Sequence, residues 1–189
     1  MIKNLLLDMG GVILNVSYQK VIDTFKSYGI ENFDKVYCQA KQVEIIDLFE
    51  EGRCSAEEFR DGVRKLLDKD LTDEQIDKAW FSMILEIPKD VIQLLGLLKL
   101  KYRLFLFSNT NVLHIEYLKK EFERQLGFDL FGCVFDKAFF SNEIHHRKPH
   151  PESFSFVLNQ AGIKPEETLF IDDSKQHLEG AEKVGLNTY

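Results

Sequence analysis

The chain has no apolar run approaching the ~20 residues that a helix needs to cross a bilayer, so no membrane partner is expected. The apolar start is interrupted by Asp8, and no small-residue cleavage pattern precedes the polar stretch from Asn15 to Lys20. A secretory leader is therefore not expected, and a cytoplasmic location is. Cysteine is scarce: Cys38, Cys54 and Cys133 are scattered, odd in number and without a CxxC or Cys/His spacing. That excludes a disulfide framework and a zinc cluster, and suits thiols in a reducing compartment. Basic clusters long enough to track a phosphate backbone are also missing, and the net charge is −7 with a pI near 5.3, so nucleic acid is not an expected partner. There are no internal repeats, low-complexity tracts or flexible linkers.

What is present is a core-forming composition: 44% hydrophobic residues, 16 of them Phe, in 189 residues. This length fits one α/β core with an inserted subdomain rather than two large domains. Between about Tyr18 and Phe81 the pattern is helical, with Val21, Ile22 and Phe25, then Val43, Ile46 and Phe49, at helical spacing and no strand signal. Four or five helices are expected there. Ser55-Ala56-Glu57-Glu58 and Thr72-Asp73-Glu74-Gln75 each read as a capping box opening a helix. From Pro88 the pattern changes to short apolar runs alternating with helices. Strands are expected at Leu104 to Phe107, near Ala138 to Phe140 and at Thr168 to Ile171; helices follow Pro88 and run from about Val112 to Gln125, Pro151 to Ala161 and Gln176 to Val184. Such alternation argues for a parallel sheet covered on both faces. The ending Gly185-Leu186-Asn187-Thr188-Tyr189 leaves room for only a brief last strand, unless a few terminal residues are absent.

The chemistry gathers where these runs end. Leu5-Leu6-Leu7 stops at Asp8 before Met9-Gly10-Gly11, which places a carboxylate at the carboxyl end of a strand under a turn whose backbone can approach a ligand. An isolated Asp there more often caps a turn. Three further runs also end in polar groups: Ser108-Asn109-Thr110 after Phe107, Arg147-Lys148-Pro149 after Phe140, and Asp172-Asp173 after Ile171. Taken singly, Ser-Asn suits a helix cap, Lys148 a solvated loop and Asp172-Asp173 a turn with an N-cap. Taken together they would be four coincidences.

This ordered set resembles the haloacid dehalogenase superfamily over nearly the whole chain. Asp8-Met9-Gly10-Gly11-Val12, Ser108-Asn109-Thr110-Asn111, Arg147-Lys148-Pro149 and Phe170-Ile171-Asp172-Asp173 are most similar to its helical-capped branch, which includes sugar-1-phosphate phosphatases. The resemblance implies a Rossmann-like core from residues 1–15 and 85–189 with a helical cap from 16–84, and a Mg²⁺-dependent phosphatase. In it Asp8 would be the nucleophile forming an aspartyl-phosphate. Asp8, the Gly10 carbonyl and Asp172 would ligate Mg²⁺, with Asp173 holding a coordinating water. Ser108 and the Asn109 amide would bind phosphoryl oxygens, and Lys148 would offset the repulsion between Asp8 and substrate. The expected substrate is a small phosphorylated metabolite, such as a hexose 1-phosphate, and the expected state a monomer or small homo-oligomer.

One departure stands out. Most phosphatases of the superfamily carry a second Asp two residues after the nucleophile, as the acid that protonates the leaving oxygen; here that position is Gly10. Such an acid is typically worth about 10²–10⁴ in rate. Dehalogenases and phosphonatases of the superfamily lack it too, and a phosphonatase would need a cap lysine such as Lys35 or Lys41. A non-catalytic binding module is the third reading. His145, His146 and His150 do not reproduce zinc spacings and are expected in a solvated loop. His114 is expected to give structural support, Trp80 and Phe81 to fill the helical core, and Phe49-Glu50-Glu51-Gly52-Arg53 to reach over the cleft, with Arg53 solvated or holding a second anion.

Overall fold

A computed structural model describes residues 1–31, 33 and 43–189. Among the described residues, β1 (Asn4–Leu7), β2 (Arg103–Ser108), β3 (Lys137–Phe140), β4 (Thr168–Ile171) and β5 (Asn187–Thr188) form one parallel sheet in the order β3-β2-β1-β4-β5. The chain builds outward from β1 to β3, then returns to the other side of β1. In open α/β sheets that reversal opens a crevice at the carboxyl ends of the strands. Register sets the level of the site. Leu7 lies opposite Leu106 and Ile171, so Asp8 and Asp172 leave the sheet together and Ser108 follows one residue beyond that level.

Side chains alternate across the pleat. Leu5, Leu7, Leu104 and Leu106 face one core cluster, while Leu6, Phe105, Phe107, Phe139 and Phe170 face another. Among the described residues, four helices before β2 form a layer of their own: α1 (Tyr18–Ser27), α2 (Glu44–Glu50), α3 (Ala56–Leu67) and α4 (Asp73–Phe81). Their apolar stripes meet in a third cluster around Phe25, Phe49, Phe59, Ile76 and Trp80. Both capping boxes form: the Ser55 amide donates to Glu58 at 2.7 Å and the Glu58 amide to Ser55 at 3.1 Å, with the equivalent Thr72–Gln75 pair at 2.9 and 3.2 Å.

Beyond this layer come α5 (Lys89–Lys99), α6 (Val112–Leu126) and α7 (Leu130–Val134) on one sheet face, and after α8 (Ser141–Ile144) come α9 (Pro151–Ala161) and α10 (Lys175–Glu182) on the other. α7 and α8 were not expected, because four or five residues are too few to show a helical period. α10 stops two residues before the expected Val184. The amides of Val184 and Leu186 both turn back to the Ala181 carbonyl, and Gly185 adopts φ 84° to allow it. Among the described residues no helix is long and apolar enough to cross a membrane.

Candidate active site

Lys148 is the pivot. Its side chain is fully buried, and Nζ donates to Asp8 Oδ1 at 2.7 Å and to Asp172 Oδ2 at 2.6 Å. The rings of Phe107 and Phe170 flank the ammonium, each centroid 5.4 Å away. A solvated loop lysine is therefore ruled out. Burial alone would lower the pKa of Lys148, but the two carboxylates outweigh it and hold the amine charged. Burial also pushes the Asp8 carboxyl up, against the pull of Lys148. Asp172 is buried as well, yet the His177 hydrogen bond and the Lys148 charge hold it below the usual carboxylate range.

The loop carrying Lys148 is fixed by Asn109. Asn109 Nδ2 donates to the Lys148 carbonyl and the Lys148 amide donates to Asn109 Oδ1, both at 2.9 Å. Both ends of the Asn109 amide thus serve the lysine loop, and Asn109 lies beside Ser108 on the cavity wall. Ser108 is not the cap of α6, because Asn111 accepts the His114 amide there at 3.1 Å. Ser108 is buried on the wall of a cavity of about 360 Å³ that also exposes Asp8, Gly10 and Asp173.

Carboxylate oxygens of Asp8, Asp172 and Asp173 lie within 4.8 Å of one another, a donor set suited to a hard divalent cation. The two adjacent acids differ in commitment. Asp172 Oδ1 accepts from the Ser174 amide at 2.8 Å and from His177 Nδ1 at 2.9 Å, while Oδ2 holds Lys148. Asp173 instead faces the cavity, over Gly11, where φ is 78° and a Cβ would come within 2.5 Å of its carboxylate. Glycine is favoured at Gly11 by its backbone, and a side chain there would also push the Asp173 carboxylate aside. At Gly10 a Cβ would come within 3.2 Å of Val16, so a side chain there needs Val16 to yield slightly.

His177 is not singled out by the sequence because it falls within the helical pattern of α10. Its only signal is a position one turn past Asp172-Asp173, at the start of the helix. His114 does give structural support: its Nε2 meets the Trp80 carbonyl at 3.1 Å, its ring stacks on Trp80, and burial lowers its pKa to about 4. Trp80 and Phe81 pack within the helical layer and do not line the cavity. Of the loop histidines, His145 and His150 are exposed, His145 Nδ1 lies 2.8 Å from the Glu51 carbonyl, and His146 packs on Phe156. Arg53 points to solvent and pairs with Glu51 at 3.0 Å; Glu50, not Arg53, reaches the cavity. Lys35, Lys41 and Cys38 lie outside the described residues.

Known proteins bear on this geometry. The family model of the haloacid dehalogenase-like hydrolases matches residues 2–185. A D-ribitol-5-phosphate phosphatase from Bacteroides thetaiotaomicron is 33% identical, over 100% of this chain and 91% of its own length. A haloacid dehalogenase family enzyme from the same organism, solved in complex with magnesium and inorganic phosphate, is 38% identical with a TM-score of 0.90, covering 100% of this chain and 93% of that one. A predicted hydrolase of this type from Porphyromonas gingivalis is 33% identical with a TM-score of 0.90, over 100% and 90% of the two chains. Matched by the family model along almost its whole length and by relatives at a third or more identity, the chain belongs to the haloacid dehalogenase-like hydrolases.

Proposed function

We propose that the chain is a Mg²⁺-dependent phosphatase that cleaves a small sugar or sugar-alcohol phosphate through phosphorylation of Asp8. The observation that carries this reading is the buried Lys148 bridging Asp8 and Asp172, with Asp173 facing the same cavity. Residues 16–84, which include the helical layer, serve as the cap. Asp8, the Gly10 carbonyl, Asp172 and Asp173 are the groups that would hold Mg²⁺; Asp172, which also accepts from Lys148, His177 and the Ser174 amide, positions the lysine as well. When bound, the metal neutralises phosphate charge and holds the phosphoryl group in line.

Asp8 attacks phosphorus, the bond to the ester oxygen breaks, and the alcohol departs. Lys148 offsets the charge on the transferring group, and Ser108 donates its hydroxyl to a phosphoryl oxygen. Water then attacks the phosphorylated Asp8 and releases inorganic phosphate, restoring the carboxylate. No carboxylic acid stands at Gly10, and His114 is not a substitute, since its neutral ring is engaged by Trp80 and Asn111. The leaving oxygen therefore takes its proton from a neighbouring substrate hydroxyl, the Tyr18 phenol on the cavity wall or water. Burial and the surrounding acids, Glu50 foremost, keep that phenol protonated.

Two substrate classes compete. The relative that acts on D-ribitol 5-phosphate favours a pentitol phosphate. The missing acid favours a hexose 1-phosphate, whose anomeric leaving oxygen tolerates charge better than that of a 6-phosphate. A phosphate-release panel with pentitol 5-phosphates, hexose 1- and 6-phosphates and p-nitrophenyl phosphate, with and without Mg²⁺, tests this. Metal-dependent release is expected, and release that persists in excess chelator would overturn it. Gly10→Asp should narrow the gap between 1- and 6-phosphates if the acid is what is missing.

A further inference from the structure

At the end of the sheet opposite the catalytic cavity, the amino ends of β1, β2 and β4 border a second cavity of about 450 Å³. Its wall carries Lys3 beside β1, Lys99 and Lys101 at the end of α5, Arg103 opening β2 and Lys164 ahead of β4, against one acid, Glu167. Five of its ten lining residues are thus cationic, in a chain where 24 of 189 are and the net charge is −7. Ion pairs occupy two of the five: Lys3 reaches Glu167 at 2.6 Å, and Arg103 reaches Asp136 at 3.7 Å. Glu167 is committed to Lys3, whose hydrogen bond, with the charge of Lys164 behind it, holds the carboxyl below its usual range. Lys99 donates to the Cys133 carbonyl at 2.7 Å, a neutral partner. Among the described residues Lys99, Lys101 and Lys164 form no ion pair.

We propose that this second cavity binds the polyphosphate group of a small metabolite, at a site separate from the one that turns over phosphate esters. Cations gathered on one concavity repel one another, and a multiply charged anion relieves that repulsion. A single phosphate carries about two charges, fewer than the cations around the cavity. A chain of linked phosphates spreads its charge as the lysines spread theirs, from the end of α5 to the turn before β4. Ammonium groups on flexible stems suit such a ligand, because they act as point charges and need no fixed planar geometry. A nucleic acid fits less well. The cations are confined to one cavity of an acidic protein, and a longer backbone would run onto a surface of its own sign. The separation of the two sites is built into the sheet. Asp8, Ser108 and Asp172 stand at the carboxyl ends of the same three strands, and the two cavities share no lining residue.

The test is calorimetric titration of the full chain with sodium tripolyphosphate at low salt, in excess chelator so that no metal recruits the anion to the catalytic cavity. Tripolyphosphate should bind at least about tenfold more tightly than orthophosphate, and its affinity should fall as salt is added. Lys101→Gln combined with Lys164→Gln should weaken that binding by about tenfold or more, while Mg²⁺-dependent turnover of p-nitrophenyl phosphate stays unchanged. ATP and AMP identify the source of the phosphates. ATP bound more tightly than tripolyphosphate, with AMP weak, supports a nucleotide; ATP and tripolyphosphate bound alike supports the phosphate chain alone. Binding retained in full by the double variant, or binding and turnover lost together, overturns the proposal by placing the anion in the catalytic cavity. No binding to the wild type, or a single-stranded oligonucleotide bound more tightly than tripolyphosphate, overturns it as well. Both lysines are exposed; if the double variant fails to fold, the two single variants decide by the same loss of affinity.

Discussion

Two groups of ion pairs in this protein have nearly the same distances and different consequences. On the helical layer, Arg60 of α3 forks onto Asp77 of α4 with two bonds of 2.8 Å, and Arg64 reaches Asp61 at 2.6 Å and Asp73. At the strand ends, Lys148 meets Asp8 at 2.7 Å and Asp172 at 2.6 Å. The Asp61 and Asp73 side chains are more than half exposed, whereas those of Lys148 and Asp172 are wholly inaccessible. Water and salt can replace the Arg64 pairs with Asp61 and Asp73 at little cost. In the second, each charge has been taken out of water and depends on its partners. Distance describes both groups; burial decides what they are worth, and the site sits where the charges cannot relax.

The largest effect should follow from removing the pivot. Lys148→Met leaves Asp8 and Asp172 buried without a counter-charge, so kcat/KM should fall by at least about 10²–10³, and unfolding free energy at neutral pH by about 3–5 kcal/mol. Without the lysine the folded-state pKa values of both acids rise. The stability deficit is then greatest at neutral pH and shrinks as the pH falls and the acids take up protons. Urea titrations at neutral and mildly acidic pH check the sign. A deficit as small as that of a surface pair would break the comparison.

His177→Ala sharpens it, because His177 shares Asp172 with Lys148. An effect of about 10–100-fold on activity or on the Mg²⁺ concentration it requires is expected, as for other groups that orient an acidic site. Metal titrations of turnover measure it, and an unchanged response would mean that Lys148 and the Ser174 amide suffice to hold Asp172.

His114 joins the two regions through the Trp80 carbonyl. Burial lowers its pKa from 6.5 to about 4, so the unfolded chain binds the extra proton first and stability is lost as pH falls from about 6.5 towards 4. The full contribution is about 3 kcal/mol. His114→Gln should flatten the pH dependence of unfolding in that window, whatever it costs at neutral pH; an unaltered slope would show that the ring is not the source. The smallest effect belongs to the surface. A double-mutant cycle of Arg64→Met and Asp61→Ala, whose acid is exposed, should give a coupling of less than about 1 kcal/mol that shrinks with added salt.

Much of the site was legible because it lies at the ends of apolar runs. Asp8, Ser108 and Asp172 each terminate a strand, and the parallel register brings them to one edge. Lys148 was legible as a residue but not as a buried one, since the rings that flank it, Phe107 and Phe170, come from β2 and β4, distant in sequence from its loop. Which of Asp172 and Asp173 faces the cavity depends on the turn at Ser174, which sequence adjacency does not reveal. The hold of Asn109 on the lysine loop was illegible for a similar reason: its partner is the backbone of a residue 39 positions away. The Glu50–Arg147 contact spans 97 positions and leaves no local trace. The helices of the layer were readable from period and caps, but α7 and α8 were too short to be.

The central claim is that Asp8 is phosphorylated during turnover. Wild-type protein turning over p-nitrophenyl phosphate with Mg²⁺ is quenched in acid, reduced with borohydride and digested, and its peptides are mapped by mass. Reduction of an aspartyl-phosphate gives homoserine, and it should be found at Asp8, in proportion to enzyme caught in turnover and absent from Asp8→Asn. Homoserine at another position, or turnover retained by a folded Asp8→Asn variant, would contradict the account.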